Sequence, residues 1–207
     1  LEKELAAFLR KEDAVTFSTG FQSNLGIISA VAGRTDTVLC DKENHASIYD
    51  GCRLSFAKMV RYNHSDMEDL ERKLASLDLS AGGALIVTDG VFSMSGEICR
   101  LPEIVRIAKK YGAGVMVDDA HGLGVLGEGG RGTGLVGPGE GEIGIIGAGG
   151  LGLGSPSLGG SLYRCYLIGR NHELRLGGVG DGVVLKAAKE GHQPGIADLG
   201  QPLRQQQ

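Results

Sequence analysis

Two short, almost wholly apolar runs, Ala84-Leu-Ile-Val-Thr88 and Ala113-Gly-Val-Met-Val117, bracket a helical stretch that opens at Pro102 and stops at Gly112. Strands without polar alternation must be covered on both faces, and in soluble proteins that cover is supplied by helices packed on a parallel sheet. Proline opens the intervening helix and glycine closes it. The unit is therefore strand, helix, strand, and its second strand ends abruptly in Asp118, Asp119 and His121.

The same alternation extends upstream. Ala14–Ser18 reads as a strand, and Phe21, Leu25, Ile28 and Ala32 then repeat at helical spacing until Gly33. Thr37–Asp41 is a second strand, followed by Asn44 as the expected N-cap of a helix from about His45 to Leu54. Ala57–Arg61 is a third. Residues Asp66–Leu77 form an amphipathic helix with Met67, Leu70, Leu74 and Leu77 inward, and with the pairs Glu68/Arg72 and Asp69/Lys73 expected outward as a solvated face. The pattern predicts an α/β protein, a three-layer α/β/α arrangement around a mostly parallel sheet. Leu1, Leu5, Phe8 and Leu9 already share one helical face, so the chain reads as beginning inside an element, as a fragment would.

Composition divides the chain in two. Of its 36 glycines, 10 fall in the first 121 residues and 26 in the remaining 86. Glycine at that density raises the entropy lost on ordering and leaves little side chain to bury. Residues 1–136 are expected to form a partial large domain, and 137–207 a divergent, poorly ordered segment.

Several function classes drop out. The net charge of -4 comes from interspersed charges, without the basic stripe that a nucleic-acid partner requires. Cys40, Cys52, Cys99 and Cys165 lack C-x-x-C spacing and read as free thiols, with no metal site expected. No apolar run approaches the length of a membrane span, about 20 residues, and the opening residues lack the basic-then-apolar pattern, so a signal peptide is not expected among them. A cytoplasmic protein with no membrane partner is the expectation.

Gly20, His45, Ser93, Asp118 and His121 all fall at or just beyond the C-terminal ends of predicted parallel strands, where open α/β sheets gather ligands. Singly they have ordinary readings: Ser18 and Thr19 cap a helix, and a lone histidine is most often a surface or cap residue. Together they offer an anion seat at a helix N-terminus, two imidazoles, a hydroxyl and a carboxylate, a set suited to a phosphorylated cofactor with a ring nitrogen. A carboxylate paired with a pyridine nitrogen keeps it protonated and makes the ring an electron sink.

Four ordered motifs carry a resemblance. Ser18-Thr-Gly-Phe-Gln-Ser-Asn24, Asn44-His-Ala-Ser-Ile-Tyr-Asp-Gly51, Thr88-Asp-Gly-Val-Phe-Ser-Met94 and Val117-Asp-Asp-Ala-His-Gly122, with Gly127-Glu-Gly-Gly-Arg-Gly132, resemble the signatures of the α-oxoamine synthases over about residues 1–135. That family includes glycine C-acetyltransferase, 8-amino-7-oxononanoate synthase, serine palmitoyltransferase and 5-aminolevulinate synthase. The resemblance implies the large domain of a fold-type I, pyridoxal 5'-phosphate-dependent acyltransferase. Such enzymes are homodimeric and condense an acyl-CoA with an amino acid (glycine, alanine or serine) while releasing carbon dioxide. The resemblance leans toward the glycine C-acetyltransferase and oxononanoate synthase branches. It further implies that Gly20 and Phe21 help seat the phosphate, that His45 stacks on the pyridine ring near the substrate carboxylate, and that Ser93 lines the ring. Asp118 would pair with the pyridine nitrogen and His121 with the ring hydroxyl. Asp119, pointing to the opposite face, is expected to be structural.

The departures are specific. The family holds its cofactor on a lysine in a motif after the next strand, and the best-matching stretch here, Ile143–Ser155, places Leu151 at that position. No lysine occurs between Lys110 and Lys186. Ser95 stands where an aspartate is usual, and Gly129 where an asparagine is common. Loss of the lysine removes both covalent anchor and amine base, which implies an inactive copy. Residues after about Gly134 are expected to come from a frameshifted, decayed or misassembled coding sequence. Three other readings compete: a noncatalytic remnant that binds cofactor weakly, a dinucleotide-binding oxidoreductase, and a metal hydrolase. Gly147-Ala-Gly-Gly-Leu-Gly152 satisfies G-x-G-x-x-G, but Gly154, Ser155 and Pro156 deny it the following helix. The metal reading would use Asp118, Asp119 and His121, although adjacent aspartates on a strand diverge.

Overall fold

The computed structural model describes residues 1–11 and 14–133, and beyond them the backbone strands Ile145–Gly147 and Tyr166–Leu167. In chain order the elements are α1 (Glu2–Phe8), β1 (Val15–Thr16), α2 (Gly20–Val31), β2 (Thr37–Asp41), α3 (Ala46–Ser55), β3 (Lys58–Tyr62) and α4 (Met67–Ala75). They continue with β4 (Ala84–Asp89), α5 (Leu101–Tyr111), β5 (Gly114–Asp118), β6 (Ile145–Gly147) and β7 (Tyr166–Leu167). Strands β2 to β6 form one parallel sheet in the order β3-β2-β4-β5-β6, and β1 pairs antiparallel with β7.

Alternate residues of each sheet strand face opposite layers. On one side Leu39, Ile86, Val115 and Val117 pack with Leu70 and Leu74 of α4 and Ile104 and Ile107 of α5. On the other, Val38, Cys40, Leu85, Val87 and Met116 pack with Ile27, Ile28 and Val31 of α2 and Ile48 and Cys52 of α3. The three-layer α/β/α expectation is met, and the strands covered on both sides, β2, β4 and β5, are buried along their whole length. Truncating a fully buried residue such as Ile28 to alanine costs about 2 to 5 kcal/mol in a core of this kind.

Helices α2 and α3 lie against each other, and Gly51 sets how closely. A Cβ at Gly51 would strike the backbone carbonyl of Asn24 and the Ile28 side chain. Any larger residue must push α3 away from α2, and α3 carries His45 and Ser47 at its start.

Two expectations are corrected. Asp69, placed outward by helical periodicity, is buried: it accepts from the Asn63 N–H at 2.8 Å, bonds Lys73 Nζ at 2.8 Å, and pairs with Arg72. Its carboxyl lies below the ordinary value because these donors, led by Lys73, outweigh the larger opposing effect of burial. The N-cap of α3 is His45, not Asn44. Asn44 instead spans to β4, donating to the Val87 carbonyl at 2.8 Å and accepting from the Asp89 N–H at 3.0 Å. Leu151, the G-x-G-x-x-G stretch apart from Gly147, and nearly all of 137–207 lie outside the described residues.

Candidate active site

The order in which successive strands are added to the parallel sheet reverses beside β2: β3 lies on one side of it and β4, then β5, on the other. Crossovers of one hand leave a crevice at such a reversal, at the C-terminal strand ends. Asp41, Asp89 and Asp118 terminate β2, β4 and β5, and all three are buried.

Asp118 is the centre of a connected set. Its Oδ2 accepts from Asn24 Nδ2 at 2.6 Å and its Oδ1 from the Ala120 N–H at 3.2 Å. The same Asn24 nitrogen donates to Ser47 Oγ at 2.8 Å, and Ser47 Oγ lies 2.7 Å from His45 Nδ1. The His45 backbone N–H donates to Asp89 Oδ2 at 3.2 Å. One continuous path thus joins β5, α2, α3 and β4. Asp89 stands directly beside Asp118 in the β4–β5 register. Burial, and then the neighbouring Asp118 charge, push the Asp89 carboxyl up to about 8, against the lowering effect of the His45 N–H. Asp89 therefore holds a proton at neutral pH.

Asp119 points away, as expected of its neighbour's opposite face. Its oxygens accept from the Thr133 N–H at 2.8 Å and the Thr133 hydroxyl at 2.7 Å. A Cβ at Gly90, Gly122 or Gly132 would collide with this carboxylate, so three glycines make its chamber. Burial raises its carboxyl to about 6 despite the Thr133 bonds. Asp119 ties the turn after β5 to residue 133.

A second set fastens the turn after β4. Asp41 Oδ1 accepts from the Glu43 N–H at 2.9 Å and meets His64 Nδ1 at 2.9 Å, while its Oδ2 accepts from the Ser65 N–H at 3.0 Å. His64 Nε2 reaches Glu97 at 3.2 Å, Ser65 Oγ donates to Glu97 at 2.6 Å, and the imidazole stands edge-on to Phe92 with centroids 4.4 Å apart. Burial pulls the His64 imidazole down, but the bonds to Asp41 and Glu97 and the charge of Glu43 carry it above its ordinary value. Phe92 and Glu97 flank Ser93, so the network holds that turn in place.

The expected residues are thus unequally engaged. Asp118 and His45 are joined through Asn24 and Ser47. Gly20 and Phe21 are the first two residues of α2, capped by Thr19, whose hydroxyl accepts from the Gln22 N–H at 3.1 Å. Ser93 and His121 are exposed on turns after β4 and β5, without a side-chain hydrogen bond among the described residues. Sequence reasoning missed Asn24, Ser47 and Asp89 as members of the site. Asn24 did carry a signal, a polar residue inside the buried stripe Asn24, Ile27, Ile28, Val31. Gly129 has φ of +64°, a conformation that asparagine also tolerates, so that departure from the family pattern leaves the backbone unchanged.

A family profile described as aminotransferase class I and II matches residues 1–143. The chain belongs to that family. A serine palmitoyltransferase from Sphingobacterium spiritivorum is 57% identical over 121 residues, which is 58% of this chain and 30% of the relative. An 8-amino-7-oxononanoate synthase from Thermoanaerobacter pseudethanolicus is 56% identical over 121 residues, 58% of this chain and 31% of its own length. These aminotransferase class I/II relatives are α-oxoamine synthases, and the chain spans about a third of their length, a partial copy. Among solved structures, a serine palmitoyltransferase from S. paucimobilis with a bound PLP-myriocin aldimine superposes with TM-score 0.74 at 39% identity, over 82% of this chain and 41% of that one. An 8-amino-7-oxononanoate synthase from Francisella tularensis gives 0.62 at 34% identity, over 81% and 46%. The fold is that of part of a fold-type I large domain.

Proposed function

We propose that the crevice at the ends of β4 and β5 is a pyridoxal 5'-phosphate site, and that the chain is part of an α-oxoamine synthase acting on an acyl-CoA and an amino acid. The observation that carries this reading is Asp118, a carboxylate held by Asn24 at 2.6 Å at the end of a buried strand. The donor set fits the group. Asp118 is an acceptor suited to a protonated ring nitrogen, and Asn24 Oδ1 beside it is a buried acceptor without a partner among the described residues. The N–H groups of Gly20 and Phe21 open α2 and suit a phosphate, one helical turn from Asn24. His45 would cover the ring, Ser93 line it, and His121 meet its oxygen.

Bound there, pyridoxal phosphate supplies an electron sink. Asp118 holds a proton at the ring nitrogen, Asn24 keeps that carboxylate oriented, and Asp89, protonated, adds no second negative charge to the crevice. Phe21, Met94 and Val125 are exposed apolar residues on segments following β1, β4 and β5, surface that a second subunit of a homodimer would cover. No helix among the described residues is long and apolar enough to cross a membrane.

Leu151 in place of the family's lysine favours a second reading for this copy: it holds the cofactor noncovalently and does not turn over. Equilibrium dialysis of the 207-residue chain against pyridoxal phosphate tests the site. Saturable binding is expected, weakened about tenfold to a hundredfold by Asp118→Ala as a charge-assisted bond is lost. Absence of saturable binding, or binding unaffected by Asp118→Ala, would refute the assignment. An acyl-CoA-dependent release of carbon dioxide would refute the inactive reading.

A further inference from the structure

The path from Asp118 to His45 has a direction forced by chemistry. Both oxygens of Asp118 are engaged as acceptors, Oδ2 on the side of Asn24 and Oδ1 from the Ala120 N–H. The atom that Asn24 turns toward it must therefore be the amide nitrogen, which fixes the amide orientation and leaves Oδ1 unpartnered, as observed among the described residues. The second N–H of that nitrogen goes to Ser47 Oγ at 2.8 Å. Ser47 then has one hydroxyl proton to place, and His45 Nδ1 lies 2.7 Å away. The Ser47 backbone N–H, which can only donate, also points to Nδ1 at 3.3 Å. Nδ1 thus receives two donors, and the ring proton must sit on Nε2.

We propose that Asn24 and Ser47 are positioning residues that transmit the negative charge of Asp118 into the tautomer of His45, so that His45 presents an Nε2–H donor at the exposed edge of its ring. Asn24 and Ser47 are both buried, and Gly51 lets α3 approach α2 closely enough for their bond. Burial of this bridge excludes the water that would otherwise randomise it. The role of the donor in catalysis rests on the cofactor reading above; the tautomer itself does not.

Long-range proton–nitrogen NMR of the histidine rings in the cofactor-free 207-residue chain, at about pH 8.5 where ordinary histidine is neutral, measures the tautomer. His45→Gln assigns the signals. The expected result is a ring at least about tenfold in favour of Nε2–H, the ratio that one net hydrogen bond supports. In Asp118→Asn the Asn24 amide is free to turn, the Ser47 hydroxyl turns to Asn24 Oδ1, and the ratio falls to the lower preference that the Ser47 backbone N–H alone sustains. In an Asn24→Ala background the Asp118→Asn change has no further effect, which a merely structural role of Asn24 would not produce. Backbone amide spectra report whether each variant remains folded. A wild-type His45 with its proton on Nδ1 overturns the proposal without need of any variant, and so does a folded Asp118→Asn protein with unmoved His45 resonances. Because the measurement contains no pyridoxal phosphate, failure of the binding experiment leaves it standing, and its own failure leaves the cofactor site standing.

Discussion

Replacing Asp89 by asparagine should stabilise the fold above neutral pH and leave it nearly unchanged in acid. Asp89 is an acid whose folded value, about 8, lies far above its ordinary 3.8, so the folded state retains a proton that the unfolded chain releases. Its contribution is thus most favourable below about pH 4 and is lost progressively as pH rises to about 8. A displacement of about four decades, at about 1.4 kcal/mol for each, sets a ceiling of roughly 6 kcal/mol. Relaxation and water entry around a buried acid reduce such figures, and about 3 kcal/mol between pH 5 and pH 9 is the expected loss. Asparagine keeps the shape and an acceptor for the His45 N–H, and it does not titrate. Urea denaturation of both proteins at intervals from about pH 5 to pH 9 gives the curves. Asp119, raised to about 6, adds its own slope to both and cancels in the difference. Parallel curves across the whole range would refute the assignment of the buried proton to Asp89.

Gly132→Ala should destabilise by about 2 to 4 kcal/mol in the same assay, since Gly132 has φ of +92° and a Cβ there collides with the Asp119 carboxylate. Thr133→Val removes the hydroxyl donor to Asp119 and should cost about 1 to 3 kcal/mol, less if the pH is held below 6, where the acid is protonated. His64→Gln should speed proteolysis of the 93–97 turn. Because the folded imidazole sits above its ordinary value, the stability it contributes is present in acid and is lost as pH rises through the folded value, so the variant's deficit should shrink in alkali. Gly51→Ala should weaken pyridoxal phosphate binding in dialysis by parting α3 from α2, and an unchanged affinity would count against the α2–α3 bridge.

Much of the frame could be read from local pattern. The apolar runs at 84–88 and 113–117 had no way to be soluble except between helical layers, and the caps at Thr19 and Asp66 and the stop at Gly112 mark their helices by local hydrogen bonding. Asp69 escaped because periodicity predicts which face a residue occupies, not whether a charged neighbour folds over it. Asn44 escaped because an asparagine before a helix caps it by default, while here β4 offered better-placed backbone groups. Asn24 and Ser47 lie 23 residues apart, and nothing local to either announces the other.

The sequence by itself determined the layered α/β plan and the placing of Asp118 and His45 at strand ends, because these depend on residue type, period and order. Only the tertiary structure decided what those groups are. Pairing of β4 with β5 inside the layered core buried Asp89 and set it against Asp118, and together these raise its carboxyl to about 8. The contact of α2 with α3 turned two unremarked polar residues into the link between Asp118 and His45. Burial strengthens electrostatic and hydrogen-bonded terms and makes each depend on its neighbours, and neighbours in space are what a linear pattern does not contain.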